Sequence, residues 1–434
     1  MLEAIGNALR IPELRRKILF TLGLFVIFRI FAHIAVPGAD KAALDKLFNS
    51  NAFLGLLDLF SGGGLSTFSI IAMGVNPYIN ASIIMQLMTV VSTRMKELSK
   101  EGEFGRRKIT RWTRYLTVGL GLLQAWGLTL VFSKQGVLNS SIGVFEIAGI
   151  MVTLTAGTIM LMWFGELITE YGIGNGISLV IFAGIVGRIP NAIYNLLSGG
   201  GQANLAPLLL FAALAVVVTA FIIEVQQAQR KIPIQSAQRV VGRKVYQGRS
   251  SHLPLRVNQA GVIPIIFAIS IMFFPVILGN FLATAPNPWG AISLWLRTYW
   301  VPTGPNIATD VLYNLVYFIL IFGFTYFYTA VTFDPVDTAD YLKKHAAFIP
   351  GIRPGVATAQ YLDRTMTRIT FAGALFLGSV TVLVPLVATA ITKLPTNQLY
   401  LGGTAILIVV GVALDTMKQI ETQLIMRQYK GFIK

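Results

Sequence analysis

Cysteine is absent from this chain of 434 residues, which excludes disulfide bonds and thiol catalysis. Charge is also scarce, because only 12% of the residues are Asp, Glu, Lys or Arg, whereas a typical soluble domain has about 25%. Hydrophobic residues instead make up 54% of the chain. This balance indicates an all-α polytopic membrane protein.

The sequence also lacks the common motifs of enzymes. The glycine-containing run at 105–108 does not have the spacing of a phosphate-binding loop, and the run at 172–176 opens an apolar helix instead of following a strand. Neither HExxH nor Gly-x-Ser-x-Gly occurs. The three histidines are scattered and predict no metal cluster: His33, His252 and His345. We therefore expect no catalytic site, no metal and no cofactor.

Ionisable residues are missing from the middle of the apolar segments, where ion-coupled transporters usually place them. Glu166, Glu224 and Asp415 lie near segment ends, and Arg29 stands alone near the end of the first segment. This pattern favours a passive conduit or scaffold. A secondary transporter of an organic solute remains an alternative, with a sodium site built from carbonyls, as does an insertion scaffold without a through-pore.

Apolar windows predict ten membrane-spanning helices. The first apolar run is longer than that of a cleaved signal, so we interpret it as a span. The windows are 18–36, 76–92, 115–133, 148–168, 176–195, 206–226, 259–281, 310–331, 368–390 and 400–418. Five spans on each side of an outer loop predict two inverted halves.

The stretch 53–91 is too long for one span and too short for two with a loop. Asp58 is its one ionisable residue, and Gly62-Gly63-Gly64 and Asn76-Pro77 interrupt it. We expect a short half-helix near 66–73, a break, and a full span after it. Irregular backbone at membrane depth is tolerated where it is buried in protein or lines a cavity. The stretch therefore predicts a segment that re-enters the protein interior.

The basic residues fix the orientation. With the N-terminus inside, 28 of the 35 Lys and Arg fall on the inner side, six fall outside, and Arg29 lies within a span. Basic residues concentrate in cytoplasmic loops, so both termini are predicted to be cytoplasmic. The inner loops 227–258 and 332–367 are long and basic. The first has hairpin-like alternation, and the second has a rigid turn that holds Arg353 at its tip. A large anionic partner, or anionic lipid, would suit them.

These features divide the chain into five regions. Residues 1–17 form an amphipathic cytoplasmic segment, because Leu2, Ile5, Leu9 and Ile11 recur at near-helical spacing. The N-terminal half is 18–196, an outer hinge loop follows at 197–205, the C-terminal half is 206–420, and the tail is 421–434.

Six runs, in order along the chain, resemble the SecY family of protein-conducting channel subunits. They are AMGVNPYINASIIMQL at 72–87, KEGEFGRRKITRWTRY at 100–115, GIGNGISLVIFAGIV at 172–186, SHLPLRVNQAGVIPIIFA at 251–268, KKHAAFIPGIRPG at 343–355 and GGTAILIVV at 402–410. The resemblance implies a channel for unfolded secretory proteins, with a lateral gate that releases membrane segments into lipid.

The resemblance also implies which residues close the channel. A ring of apolar side chains would form the constriction: Val75, Ile79, Ile177, Ile181, Ile266 and Ile408. A plug would fill the outer funnel: Ser61, Gly62, Gly63, Gly64, Leu65, Ser66, Thr67, Phe68, Ser69, Ile70, Ile71, Ala72 and Met73.

The lateral gate would lie between the second and third spans on one side and the seventh and eighth on the other. Its candidate residues are Asn80, Gln86, Gln124 and Phe274. The basic loops would dock the motor ATPase SecA or the ribosome, through rRNA, with Arg243, Lys244 and Arg353 as candidates. The small subunits SecE and SecG, translocating polypeptides, signal sequences and membrane lipids are the other implied partners. The implied location is the plasma membrane of the cell.

Overall fold

The computed structural model describes residues 10–50, 54, 58, 61–138, 143–190, 205–236, 239–241, 244–246, 250–282, 288–300, 307–392 and 402–430. In the first half the helices are α1 (Pro12–Phe31), α2 (Lys41–Ser50), α3 (Asn76–Val91), α4 (Thr93–Lys100), α5 (Glu103–Lys134), α6 (Val144–Tyr171) and α7 (Gly176–Val186). The second half contains α8 (Leu205–Gln227), α9 (Ile263–Phe281), α10 (Trp289–Tyr299), α11 (Ile307–Thr332), α12 (Pro335–Lys344), α13 (Val356–Thr392) and α14 (Gly403–Lys430).

Each of the ten predicted windows coincides with one of these helices. Among the described residues, five helical segments are long and apolar enough to cross a membrane: Glu103–Ser133, Val144–Tyr171, Val311–Lys344 (which covers parts of α11 and α12), Val356–Ala388 and Gly403–Met426. Three further apolar helical segments are shorter, at Gly176–Val186, Ala212–Gln227 and Ile263–Met272. The helical, polytopic architecture is therefore confirmed, and the count of ten spans stays a prediction.

Local sequence explains where several helices begin. Pro77 occupies the first turn of α3, where its missing N–H costs no hydrogen bond. Asn175 caps α7 by accepting a hydrogen bond from the Ser178 N–H at 3.2 Å, and Asp334 caps α12 in the same way. The predicted first window extends to residue 36, but α1 ends at Phe31, and Ala35 instead forms a β-bridge with Ser69.

The two halves pack against each other along two seams. On one side α7 of the first half contacts α14 of the second, and on the other α9 contacts both α3 and α5. One large apolar cluster runs through both halves and includes Ile79, Ile181, Ile266 and Ile408. The centre of the molecule is thus built jointly by both halves, as an inverted arrangement requires.

The two long loops fold together into one small domain, which was not predicted from the sequence of either loop. Strands β1 (Gln229–Ser236) and β4 (Ser250–Arg256) pair antiparallel, and β5 (Ala347–Phe348) from the second loop pairs with β1. The predicted alternation is confirmed as strands, although β1 pairs with β4. Strands β2 (Arg239–Val241) and β3 (Lys244–Tyr246) make a separate hairpin.

An apolar core joins the sheet to α13 and fixes its position. Ile232, Leu255 and Ile349 are almost fully buried with residues of α13: Leu362 and Met366. Some predicted regions lie outside the described residues: positions 1–9 of the amphipathic segment, 197–204 of the hinge loop, and 431–434 of the tail.

Candidate functional site

Five residues of the proposed ring lie on four helices, the sixth, Val75, caps the start of α3, and all six meet in the central apolar cluster. Ile79 is 5% exposed, Ile181 1% and Ile408 0%. Val75 and Ile266 are also buried, and Ile177 is half-buried against the same cluster. Ring positions therefore occupy the shared interior of both halves and not the lipid-facing surface. A constriction of branched aliphatic side chains can exclude ions by excluding water.

The proposed plug is buried in the protein interior, but its backbone differs from the predicted half-helix. Residues 62–68 and 70–75 form consecutive turns, and Ser69 makes a β-bridge with Ala35. Gly62, Gly63 and Gly74 have positive φ, a conformation that glycine adopts without strain. Long-range bonds replace a helical ladder, because the Val36 N–H donates to the Phe68 carbonyl at 2.9 Å and the Ile70 N–H donates to the Ile34 carbonyl at 3.1 Å. The prediction of a helix at 66–73 is therefore wrong.

Close packing holds this segment between the helices of the first half. Phe68 is fully buried, and its ring centroid lies 5.0 Å from that of Phe132 on α5. Ile71, also fully buried, joins the central cluster that contains the ring. On α6, a Cβ added to Gly157 would lie 2.1 Å from the Ile70 carbonyl oxygen. The absence of a side chain at Gly157 is therefore what allows the segment to seat against α6.

Buried charged side chains also hold the plug segment in place. The Asp58 carboxylate is 0% exposed and pairs with the Arg188 guanidinium at 2.6 Å. The other Asp58 oxygen accepts hydrogen bonds from the Leu65 and Ser66 N–H groups, each at 2.9 Å. Arg29 on α1 donates to the Gly62 and Gly187 carbonyls, both at 2.8 Å. We call Arg29, Asp58 and Arg188 the plug anchor, because they tie the segment to α1 and to the end of α7.

Sequence reasoning missed this anchor, although two signals for it were present. Asp58 is the one ionisable residue of 53–91, and Arg29 interrupts the first apolar run. A charge inside a membrane segment is costly and calls for a partner. Arg188 is 130 positions from Asp58 in the sequence, and no local pattern connects the two. The ion pair is formed only by the tertiary fold.

A polar cavity of about 210 Å³ lies next to the ring, on one side of it. The cavity is lined by Asn175 and Ser178 at the start of α7, before the ring residue Ile181. It is also lined by Ile263 at the start of α9, before the ring residue Ile266. On α14, which runs in the opposite direction by the predicted topology, Val412 and Asp415 follow Ile408. By the predicted orientation this is the cytoplasmic side.

The proposed lateral-gate residues lie near the second seam between the halves. Asn80 and Gln86 on α3 and Gln124 on α5 are half-buried, and both helices contact α9. The Gln86 side chain donates weakly to the Ser82 hydroxyl at 3.4 Å. Phe274 belongs to α9, but its side chain lies outside the described residues.

Of the proposed docking residues, Arg353 is best defined. It is exposed, in a turn between the buried Ile349 and the start of α13, and its carbonyl accepts from the Thr358 hydroxyl at 2.9 Å. This confirms that the predicted turn holds Arg353 at the surface. Lys244 lies on β3, and Arg243 lies outside the described residues. Within the described part of the chain, no group of three or more His, Cys, Asp or Glu side chains could hold a metal ion.

Comparison with known proteins gives consistent matches along the whole chain. The SecY family model matches residues 69–417. The protein translocase subunit SecY of Halalkalibacterium halodurans is 47% identical over 445 residues, and that of Streptomyces scabiei is 43% identical over 449 residues, with 100% of each chain covered in both cases.

Solved structures share the fold at lower sequence identity. A structure described as a protein conducting channel is 18% identical, with a TM-score of 0.65 and 99% of both chains covered. A SecY structure that concerns the plug domain is 20% identical, with a TM-score of 0.66 and the same coverage. Sec61 in a canine ribosome-channel complex is 18% identical, with a TM-score of 0.61 and 99% of both chains covered.

Proposed function

Because this chain belongs to the SecY family of multi-pass membrane proteins, we propose that it is the central subunit of a channel that moves unfolded polypeptides across the plasma membrane. The proposal includes a lateral gate that releases membrane segments into lipid, cytoplasmic termini, and no enzymatic activity of the chain itself. The observation that carries it is the convergence of six aliphatic positions, on four helices and at the start of one of them, in one buried cluster that also contains Ile71 of the plug segment.

The chemistry of this cluster suits a polypeptide substrate. A translocating chain presents side chains of every size and charge, so a constriction with specific binding groups would retain some of them. Ile79, Ile181 and Ile408 offer flexible aliphatic surface and no hydrogen-bonding group. A narrow apolar ring can therefore close around a moving chain while it excludes the hydrated ions.

Energy for transport would come from outside the chain. Exposed basic residues lie on β1 and on the parts of the second loop next to β5, and we call them the platform: Arg230 and Lys231 on β1, Lys343 and Lys344 at the end of α12, and Arg353 before α13. An acidic motor surface or ribosomal RNA would be attracted to it. We assign this platform to docking of SecA or the ribosome, and we include SecE and SecG as membrane partners on the basis of the family.

The experiment that tests the channel is site-specific cross-linking to a stalled secretory chain. A photoreactive residue placed at position 79, 181 or 408 should cross-link to a chain stalled in mid-transport. The same residue at Ile84, which is 40% exposed on the same helix as Ile79, should cross-link to lipid instead. Cross-links at Ile84 equal to those at the ring, or none at the ring, would contradict the proposal and favour the transporter alternative.

Docking gives a separate prediction at Arg353. The change Arg353→Glu reverses an exposed charge and should lower SecA- or ribosome-driven export by about tenfold, the effect of losing roughly 1.4 kcal/mol of binding. The free energy of unfolding should change little, because surface substitutions usually alter it by less than about 0.5 kcal/mol. Arg111→Glu, an exposed reversal on α5 outside the platform, is the matched control. Normal export by Arg353→Glu would remove the docking assignment.

A further inference from the structure

The polar cavity beside the ring contains two buried amide atoms without a partner. Asn258 is 6% exposed; its Nδ2 donates to the Gly261 carbonyl at 3.0 Å, whereas its Oδ1 accepts no hydrogen bond. Gln226, at the end of α8, has a buried Nε2 that donates to nothing. Both residues line the cavity. Burying such groups unpaired is costly, so a ligand that supplies one acceptor and one donor would be stabilised here.

The remaining lining restricts the chemistry of that ligand. Its opposite charges, Arg256 and Asp415, lie 3.7 Å apart and largely balance each other. Small residues occupy much of the wall, including Ala260, Gly261 and Gly411. The cavity is far larger than the roughly 10–15 Å³ that one water molecule needs. The site therefore favours a neutral, narrow ligand that carries both a carbonyl and an N–H, and it offers no dedicated pocket for a charged group.

The position of the cavity identifies the source of such a ligand. Three helices carry both a ring residue and cavity residues, with Ile181, Ile266 and Ile408 all on the same side of the lining. A polypeptide that approaches the ring from the predicted cytoplasmic side would therefore meet this lining. The repeating groups that every polypeptide shares are its main-chain carbonyl and N–H.

We propose that the cavity binds the main chain of an extended polypeptide, with a carbonyl that accepts from Gln226 Nε2 and an N–H that donates to Asn258 Oδ1. This inference rests on the proposed channel function and adds a substrate contact to it. Binding through main-chain groups is independent of sequence, so it would hold any client below the ring against backsliding without selecting among side chains. Extended peptides are recognised by main-chain hydrogen bonds elsewhere in proteins.

A backbone-modified client tests the contact directly. A secretory chain is stalled with one residue in the cavity, and its position is established by cross-linking from a photoreactive group at Ser178. At that residue an α-hydroxy acid replaces the amide with an ester, which removes the N–H and weakens the carbonyl acceptor. After the driver is withdrawn, the ester client should slide back about fivefold faster than the amide client, the effect of one lost hydrogen bond.

Variants of the channel make the test specific. Asn258→Leu should shrink the difference between the two clients to the part caused by the weaker ester carbonyl, because the N–H of the amide client then has no acceptor. Since Asn258 also holds a turn, Gln226→Met provides a second variant of similar shape that cannot donate, and it should speed backsliding of the amide client. Gln227→Met, at the exposed neighbouring position, should change nothing.

The outcomes separate this inference from the function on which it rests. Equal backsliding of ester and amide clients in the unmodified channel would overturn the inference, as would an ester effect of unchanged size in Asn258→Leu. If the same stalled chains still cross-link at positions 79 and 181, the channel function stands. If no stalled chain reaches the ring positions, both fail.

Discussion

The variant Asp58→Asn should raise the ion leak of the resting channel on the order of 100-fold. Asparagine retains the oxygen that accepts from the Leu65 and Ser66 N–H groups, so the change removes mainly the charge that faces Arg188. Removing one partner of a buried ion pair costs about 3–5 kcal/mol, and we take the low end because Arg188 is 16% exposed. That free energy shifts the balance from a seated to a displaced plug. Ion flux through proteoliposomes in the absence of client measures the leak.

Two comparisons establish that the charge pair is responsible. Asp45→Asn changes an exposed carboxylate on α2 and should leave the leak as it is. The double variant Asp58→Asn with Arg188→Gln removes the Arg188 charge together with its partner, while Arg29 keeps its two carbonyl acceptors. The leak should therefore return toward its original value. If the single and double variants leak equally, the ion pair does not hold the plug.

A variant that changes no charge should also displace the plug segment, through a steric clash with α6. Gly157→Ala would place a methyl group where the Ile70 carbonyl lies, so the plug must move away from α6. The leak should rise, and Gly149→Ala on the same helix should have no effect, because a Cβ at Gly149 meets no atom within 4 Å. If the leak rises with Asp58→Asn and not with Gly157→Ala, the charged residues hold the plug and its packing against α6 does not.

The helices of this protein could be predicted from sequence because their signals are local. Apolar runs that begin at Pro77 or just after Asn175 fix both the existence of a helix and its start. The distribution of basic residues likewise needs only the order of the spans. Every predicted window therefore contains a helix, with differences confined to its ends.

The conformation of the plug could not be predicted because distant residues determine it. Ser66 to Met73 has no helix breaker within it, so local preference allows a half-helix. In the structure its backbone groups instead bond to partners outside the segment: the Ser66 N–H donates to Asp58, and the Ile70 N–H donates to the Ile34 carbonyl. Tertiary hydrogen bonds thus override local propensity. The pairing of β1 with β5 escaped for the same reason, since the two strands lie in loops that are more than 100 residues apart.

Replacing the ring with glycine should open the membrane to ions even when the plug anchor is intact. The triple variant of Ile79, Ile181 and Ile408 to Gly removes aliphatic surface worth roughly 3 kcal/mol per position, at ~0.8 kcal/mol per methylene. Water excluded from the constriction by that surface would then enter it, and resting conductance should rise at least about tenfold. Planar-bilayer recordings of single channels provide the measurement.

The control variants must introduce glycine into the same helices without changing the side chains of the constriction. Ile84→Gly on α3 and Ile425→Gly on α14 are suitable, because these side chains are 40% and 57% exposed and each lies on a helix that also carries a ring residue. Each carries the same helix penalty of about 1 kcal/mol, so an effect of glycine on the helix itself would appear in them too. Conductance that rises only in the ring variant places the ion barrier at these side chains. Conductance that stays at its resting value in all variants would mean that the chain acts as an insertion scaffold without a through-pore.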